Sequence, residues 1–594
     1  MHPWVEQLSR RLALWNRRRL HQRHQRRRPP YAAWCARHDM LDDATRAALL
    51  ARLAALPSRP AVDLLLRADS QPLALHQALW ASVQAQMFGE WRLLIGLEAG
   101  STGEVTSWWC EQARLDARVR PCVGASAHAA LLRHSDSDWC AFIAAGERWR
   151  AHTLLLLIEA GLANAQTQLV YGDEDRLDAD GQRSEPWFKG DFDAEALWAM
   201  DSIGSPALWR RAGLLARLGK TPLCSGAEGH EVMLRGARPL TAQQATHVPH
   251  VLCHRRPATV DAAAAARAVQ AALDREGIAG RAEADAAAPG LVRVHFAAPS
   301  PPPHVTLIIP TRNGLNLLRR CIGSILERTT WPGYDIVIVD NGSDDPACLR
   351  WLDGVTRDAR VSVLRAPGPF NYSALNNSAV RGSRGEFVAL INNDMELLTP
   401  GWLEEMIGLA ARPGIGAVGA RLWYEDQTLQ HGGVLLGIGE VAAHVLKGLP
   451  RGQGGPGSRA LRLQAYLAVT GACIVVRKSS YLAVGGLDEE AFAVSCNDVD
   501  FCLRLAARGL VNLWTPHAEW YHFESVSRGR DHDPVKKQRY LGEAAMMKQR
   551  WSRWLAADPF YNPNLSITSD DFALADPPRV SLRRPRGADN TGNP

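Results

Sequence analysis

Four stretches decide the fold: VTLIIPTRNG (residues 305–314), YDIVIVDNGSDD (334–345), FVALINNDMELLTPGW (387–402) and CNDVDFCLRLAARG (496–509). The first three begin as continuous, β-branched apolar runs, the pattern of strands buried on both faces. Each run stops in a small polar turn. Between the first two, LNLLRRCIGSIL (315–326) puts Leu317, Leu318, Cys321, Ile322 and Ile325 on one helical face. The result is a βαβ unit, right-handed by default. The third run ends at Asn392-Asn393-Asp394, and a helix starts at Thr399-Pro400.

Carboxylates recur where these elements end, and an α/β sheet assembles nucleotide and metal sites at the carboxyl edge of its strands. Asp340 can accept hydrogen bonds from a base or ribose; read alone, Asp340-Asn341-Gly342-Ser343 is equally a turn and helix cap. Asp394 can be offered to Mg²⁺ or Mn²⁺, which take a few protein oxygens and the rest from phosphate. Asp498 and Asp500 cannot both face the core, so one pointing into the cleft could serve as a general base; both also suit the first turn of a helix dipole. His522 follows an apolar strand, where a metal, a phosphate or a structural role would each fit.

Bulk properties set the frame. A chain of 594 residues is too long for one core. No apolar run approaches 18 residues, LLLLI (154–158) being far too short to span a bilayer. No secretory signal is expected at the N-terminus. The 11 cysteines are scattered without CxxC pairs, which argues for a reducing cytoplasm and against a disulfide framework or zinc site. Residues 1–28 carry nine Arg against Glu6, with Trp4, Leu8, Leu12 and Trp15 at near-helical spacing. Such an arm can lie peripherally on an anionic membrane or stay solvated; with no recognition motif beside it, nucleic acid is not an expected partner.

The expected organisation is α/β throughout: a basic arm with short helices (1–60), a first α/β domain (61–257), a helix, strand and Pro-rich linker (258–303), a second α/β domain (304–530) and a helical extension with a disordered tail (531–594). The Gly-rich loop within 435–462 reads as mobile, able to close over substrate.

IIPTRNG, VIVDNGSDD, GPFNYSALNN, FVALINNDMELLTPGWL, VTGACIVVRKSSYLAVGGLDE, CNDVDFCLRL and YHFESVSRG, in this order, resemble the GT-A fold of inverting family 2 glycosyltransferases. The nearest likeness is to bacterial rhamnosyltransferase-like enzymes of O-antigen and other surface-polysaccharide assembly. DPFYNPNLS (558–566) resembles their C-terminal end. The resemblance implies that Pro310, Thr311, Asn313, Asp340, Asn341, Ser343 and Asn393 line a nucleotide-sugar site. It implies Asp394 and His522 for the metal, Asp498 as catalytic base, and Thr470, Gly471 and Ala472 on the acceptor side. The motif at 392–394 retains one carboxylate, and Asn497 stands where the family carries an acid. The implied protein is a cytoplasmic transferase, possibly peripheral at the inner face of the membrane, acting on a glycan or lipid-linked acceptor. A nucleotidyltransferase is disfavoured because TRNGLNLL is a poor triphosphate loop; a glycan-binding scaffold is the alternative from another class.

The first α/β domain reads as an eroded copy of the second. SGAEGHEVMLR (225–235) lies on SCNDVDFCLR (495–504), with Gly229 opposite Asp498. WCAFIAAGERW (139–149) lies on EFVALINNDME (386–396), with Ala144-Ala145-Gly146 opposite Asn392-Asn393-Asp394. The base and metal carboxylate are therefore missing from it. Its acidic cluster YGDEDRLDADG (171–181) reads as a solvated turn.

Overall fold

The computed structural model describes residues 30–583 apart from 69–70, 99, 101, 126, 179, 257–259 and 524–533. The basic arm at 1–28 lies outside the described residues. Among them, no helix is long and apolar enough to cross a membrane.

Two sheets carry the chain. The first contains β1 (Val62–Arg67), β2 (Trp91–Leu97), β3 (Val119–Val123), β4 (Trp139–Ile143), β5 (Arg148–Trp149), β6 (Leu169–Leu177), β7 (Ala207–Arg210) and β8 (Ala245–Arg255). The second contains β9 (Val305–Thr311), β10 (Tyr334–Asp340), β11 (Val361–Arg365), β12 (Phe387–Ile391), β13 (Met395–Leu397), β14 (Ile415–Trp423), β15 (Cys473–Arg477) and β16 (Val511–His522). The spatial orders are β3-β2-β1-β4-β7-β6-β8-β5 and β11-β10-β9-β12-β15-β14-β16-β13. Each strand of the second sheet thus sits where the strand numbered eight lower sits in the first. The orientations agree too: β4–β7 and β12–β15 are antiparallel, whereas β6–β8 and β14–β16 are parallel.

Register makes the duplication residue-specific. Ala141 pairs with Leu208 in the first sheet and Ala389 with Val475 in the second, so Gly146 falls at the place of Asp394. Arg148 pairs with His254 and Glu396 with Tyr521, so Arg255 falls at the place of His522. Helix Glu228–Gly236 matches helix Asn497–Ala507, each held by an i,i+4 ion pair, Glu231–Arg235 and Asp500–Arg504. The conserved geometry comes from the same interior logic, fully buried apolar strands that tolerate volume-conserving substitution.

The linker adds helix Ala262–Glu276, capped by Asp261, and a hairpin of Gly280–Ala284 and Val292–Phe296. The GRAEA strand carries little apolar signal and escapes a reading by pattern. Phe296 meets Trp198 edge-on at 5.9 Å, and Arg412 makes two hydrogen bonds, 2.6 and 2.8 Å, to Glu195 of the first half. The two halves share one continuous core.

Three expectations are corrected. YGDEDRL is not a solvated turn but most of β6. Asp173, Glu174 and Asp175 are buried and paired with His247, with Lys189 and Arg255, and with Arg183 and His254. Apolar flanks hid a strand whose charges are neutralised internally, as buried charge requires. The tail is ordered as far as residue 583: Ala575 O accepts from Trp34 Nε1 at 2.8 Å, Leu582 is buried, and its carbonyl accepts from Arg52. The loop within 435–462 is packed: Leu446 N–H donates to Asp570 O, and Arg459 and Arg462 are buried.

The segment after helix Pro534–Ala556 straps the halves together. Asp558 accepts from Leu436 N–H of the second half, whereas Asn562 donates to Asp173 and Lys189 O, and Asn564 to Pro249 O, of the first. Asn562→Ala leaves two buried acceptors unsatisfied. It is expected to cost about 1–3 kcal/mol, read as a lower thermal midpoint and faster proteolysis after residue 557. An unchanged midpoint would mean that the strap contributes nothing.

Candidate active site

Three strand ends gather the residues expected to line the nucleotide. β9 stops at Thr311, and Asn313 and Gly314 both take left-handed backbone, φ 54° and 64°, before helix Leu315–Arg328. Asparagine tolerates that conformation better than most residues. Here its side chain also joins two turns: Oδ1 accepts from Asp344 and Asp345 N–H, and Nδ2 donates to Asp344. Its backbone N–H donates to Ser343 Oγ. Asp340 is buried at the end of β10, accepting from Ser343 N–H at 3.0 Å and Arg365 Nη1 at 2.7 Å. Asn341 donates to Ala366 and Gly368 carbonyls. Pro310 is buried in β9, and Asn393 Nδ2 donates to Thr311 Oγ1 at 2.9 Å, tying the end of β12 to that of β9.

Asp394 and His522 come together at the β13–β16 seam. Met395 pairs with His522, Phe523 N–H donates to Asp394 O, and His522 Nε2 lies 3.2 Å from Asp394 Oδ1. Gln430, fully buried on strand Leu429–His431, orients the imidazole. Its Nε2 donates to His522 O at 3.3 Å, so its Oε1 is the acceptor facing His522 Nδ1 at 2.7 Å. Nδ1 therefore carries a proton, and in the neutral ring the Nε2 lone pair faces the Asp394 carboxylate. Two electron pairs that close repel unless a proton or metal cation lies between them. Among the described residues, no group of three or more His, Cys, Asp or Glu side chains converges to hold a metal by itself. Asp394 and His522 offer one oxygen and one nitrogen donor, so an ion held there would have to complete its shell with groups such as diphosphate and water.

The expected base lies on helix Asn497–Ala507, which follows Cys496 in left-handed backbone. Asp498 accepts from Gly471 N–H at 2.8 Å and Val499 N–H at 2.9 Å. Burial raises its pKa above the ordinary carboxylate value, outweighing these bonds. It remains partly accessible, whereas Asp500 is fully buried on Arg504, Arg550 and Trp551. Of the two carboxylates, Asp498 is the one available for chemistry. A Cβ on Gly471 would lie 3.3 Å from that of Asp498, so this position stays small. Thr470 N–H points at His431 Nε2, and Ala472 O accepts from Asn392 N–H.

Several residues here escape a reading by motif. Tyr372, set at the start of its helix by the Asn371 cap, places its hydroxyl 3.1 Å from Gly471 O and 3.3 Å from Asn392 Oδ1. It thus bridges the Asp498 and Asp394 regions. His431 and His444 pack at 4.7 Å; desolvation, with Lys447 and His522 nearby, lowers His444 to about 3 and His431 well below its ordinary value. Gln430 and His431 sit in LQHGG, a polar island between short strands that gives a sequence signal.

The first half lacks this constellation. Arg255, at the place of His522, lies 3.1 Å from Glu174 and 3.6 Å from Glu147, an internal cation held by its own carboxylates. Gly229 leaves the place of Asp498 without a side chain.

Residues 306–468 match the family model described as Glycosyl transferase family 2. The second sheet therefore carries a Glycosyl transferase family 2 domain. It is 35% identical over 554 residues to the uncharacterized protein y4gI of Sinorhizobium fredii (strain NBRC 101917 / NGR234), covering 90% of this chain and 61% of that one. It is 32% identical over 565 residues to the O-antigen biosynthesis protein RfbC of Myxococcus xanthus, covering 92% and 43%. The chain therefore spans less than two thirds of either relative. An N-acetylglucosaminyl-diphospho-decaprenol L-rhamnosyltransferase of Mycobacterium tuberculosis is 26% identical over 293 residues, 45% of this chain and 91% of that one.

The Gln430 geometry carries a test independent of turnover. Nitrogen-15 NMR of labelled histidines at alkaline pH should report His522 as the Nδ1–H tautomer. Gln430→Leu should shift it towards Nε2–H, while Gln430→Glu, still an acceptor, should not. An identical tautomer in Gln430→Leu would remove Gln430 from this role.

Proposed function

We propose that the second half transfers a sugar from a nucleoside-diphosphate donor to a glycan or lipid-linked acceptor in surface-polysaccharide assembly, with inversion at the anomeric carbon. The carrying observation is that Asp394, His522 and Asp498 lie around one strand edge, linked through the Tyr372 hydroxyl. The family match and the RfbC and rhamnosyltransferase relatives support the reaction class.

In this reading Asn313, Asp340, Asn341, Ser343 and Asn393 shape the nucleotide side, and Pro310 and Thr311 form its floor. Asp394 and His522 would hold Mg²⁺ or Mn²⁺, which when bound supplies positive charge against the departing diphosphate. Asp498 takes the proton of the acceptor hydroxyl. That oxygen forms a bond to the anomeric carbon as the bond to the diphosphate oxygen breaks, its electron pair leaving with the nucleoside diphosphate. One displacement gives one inversion. Thr470, Gly471 and Ala472 border the acceptor side. The first half serves as a non-catalytic buttress: Ala465 N–H of the second half donates to Asp193, and Pro559 O accepts from Asp191 N–H.

A panel of nucleotide sugars tested for donor hydrolysis with Mg²⁺ or Mn²⁺ checks the reading. One donor should be bound and slowly hydrolysed, and Asp394→Ala should weaken metal-dependent binding and leave no residual turnover from the first half. Asp498→Asn should spare binding and cut transfer by about 10²–10⁴-fold. No donor binding to folded protein across a broad panel would favour a glycan-binding scaffold instead.

The raised pKa of Asp498 has a defined sign. The base works ionised, so transfer should fall as pH drops through a midpoint above 3.8, the ordinary aspartate value. Burying the ionised form opposes folding at neutral pH, so Asp498→Asn should not lower the thermal midpoint. A transfer profile flat down to pH 4 would exclude Asp498 as base.

A further inference from the structure

We propose that the outer face of helix Pro534–Ala556 is a docking surface for an anionic lipid bilayer. The proposal rests on the transferase reading only for its purpose, delivery of the site to a lipid-linked acceptor.

The helix is anchored on one side. Glu543, Ala544 and Met547 are buried, and Glu543 accepts the N–H groups of Val494 and Ser495, just ahead of the Asp498 helix. Arg550 and Trp551 hold Asp500 on that same helix. The anchor therefore couples this surface rigidly to the element that carries Asp498.

The opposite face is unlike an ordinary solvated helix surface. At 100° per residue, Val535, Leu541, Ala545 and Met546 fall on it together with Gln538, Gly542 and Gln549. Val535 is 76% exposed, Leu541 57% and Met546 37%. Lys537 and Lys548 flank this stripe on one side and Arg539 on the other, all exposed. Glu543 is the only acid in the helix, against Lys536, Lys537, Arg539, Lys548, Arg550 and Arg553, and it faces the interior.

Exposed Val535, Leu541 and Met546, set among Gln538, Gly542 and Gln549 and bordered by long cationic side chains, match a headgroup interface, where apolar groups enter the acyl boundary and Lys and Arg reach phosphates. A nucleic acid would use the cations but has no need of Val535, Leu541 and Met546. A second copy would set two basic helices against each other. Charge complementarity thus selects the anionic bilayer.

The test is co-sedimentation of the full chain with phosphatidylcholine vesicles, with and without phosphatidylglycerol, at low and high salt. The wild-type chain should bind only the anionic vesicles. Combined Lys537→Glu, Arg539→Glu and Lys548→Glu should reduce partitioning at least about tenfold at low salt. Leu541→Asp should also weaken binding, including at high salt, where charge is screened. Thermal melts and donor hydrolysis in free solution, both expected to match wild type, separate loss of docking from loss of fold. Wild-type failure to bind anionic vesicles, or undiminished binding by both variants, would overturn the proposal. Absent donor turnover by the wild type would instead count against the transferase reading and leave the vesicle result standing.

Discussion

A carboxylate oxygen of Asp394 and the Nε2 of His522 are held 3.2 Å apart at the seam of β13 and β16. Gln430 engages the other ring nitrogen, which leaves Nε2 turned towards the carboxylate. The surrounding architecture serves this constraint. The antiparallel β13–β16 pairing brings two distant segments into register, β12 delivers Asn393 and Asp394, and Tyr372 reaches across to the Gly471–Asp498 side. Under the proposed function, donor and acid–base chemistry would share one sheet edge.

The first half shows how such a site is lost without loss of the fold. Strand order, orientations and even the helix ion pair persist, yet Gly146, Arg255 and Gly229 replace the three chemical groups. Arg255 places a permanent cation, neutralised by Glu174 and Glu147, where the second half carries His522. What the first half retains is packing: a shared core, the Arg412–Glu195 contact and the C-terminal strap.

Strands β1, β2, β4, β9, β10 and β12 were legible because buried parallel strands leave continuous apolar runs, and strand-end carboxylates stand out against those of the second sheet. The repeat was legible because Leu234-Arg235 and Leu503-Arg504 kept their frame. β6 was misread because its three acids are neutralised by partners remote in sequence, among them Arg255 and His254, which no local pattern reveals. The order of the tail and of the loop within 435–462 was hidden for the same reason: Leu446 and Asp570 meet only in the folded chain. Gln430 and Tyr372 act by orienting other groups, and that role leaves little trace in local sequence.

Under the proposed function, Asp394 and His522 would hold a divalent cation when the donor diphosphate is bound. The most direct measurement is electron spin echo envelope modulation of Mn²⁺ bound to the full chain with a nucleoside diphosphate. Coupling to one imidazole nitrogen is expected, lost in His522→Gln. A Mn²⁺ complex that forms normally but has no nitrogen coupling in the wild-type protein would contradict it.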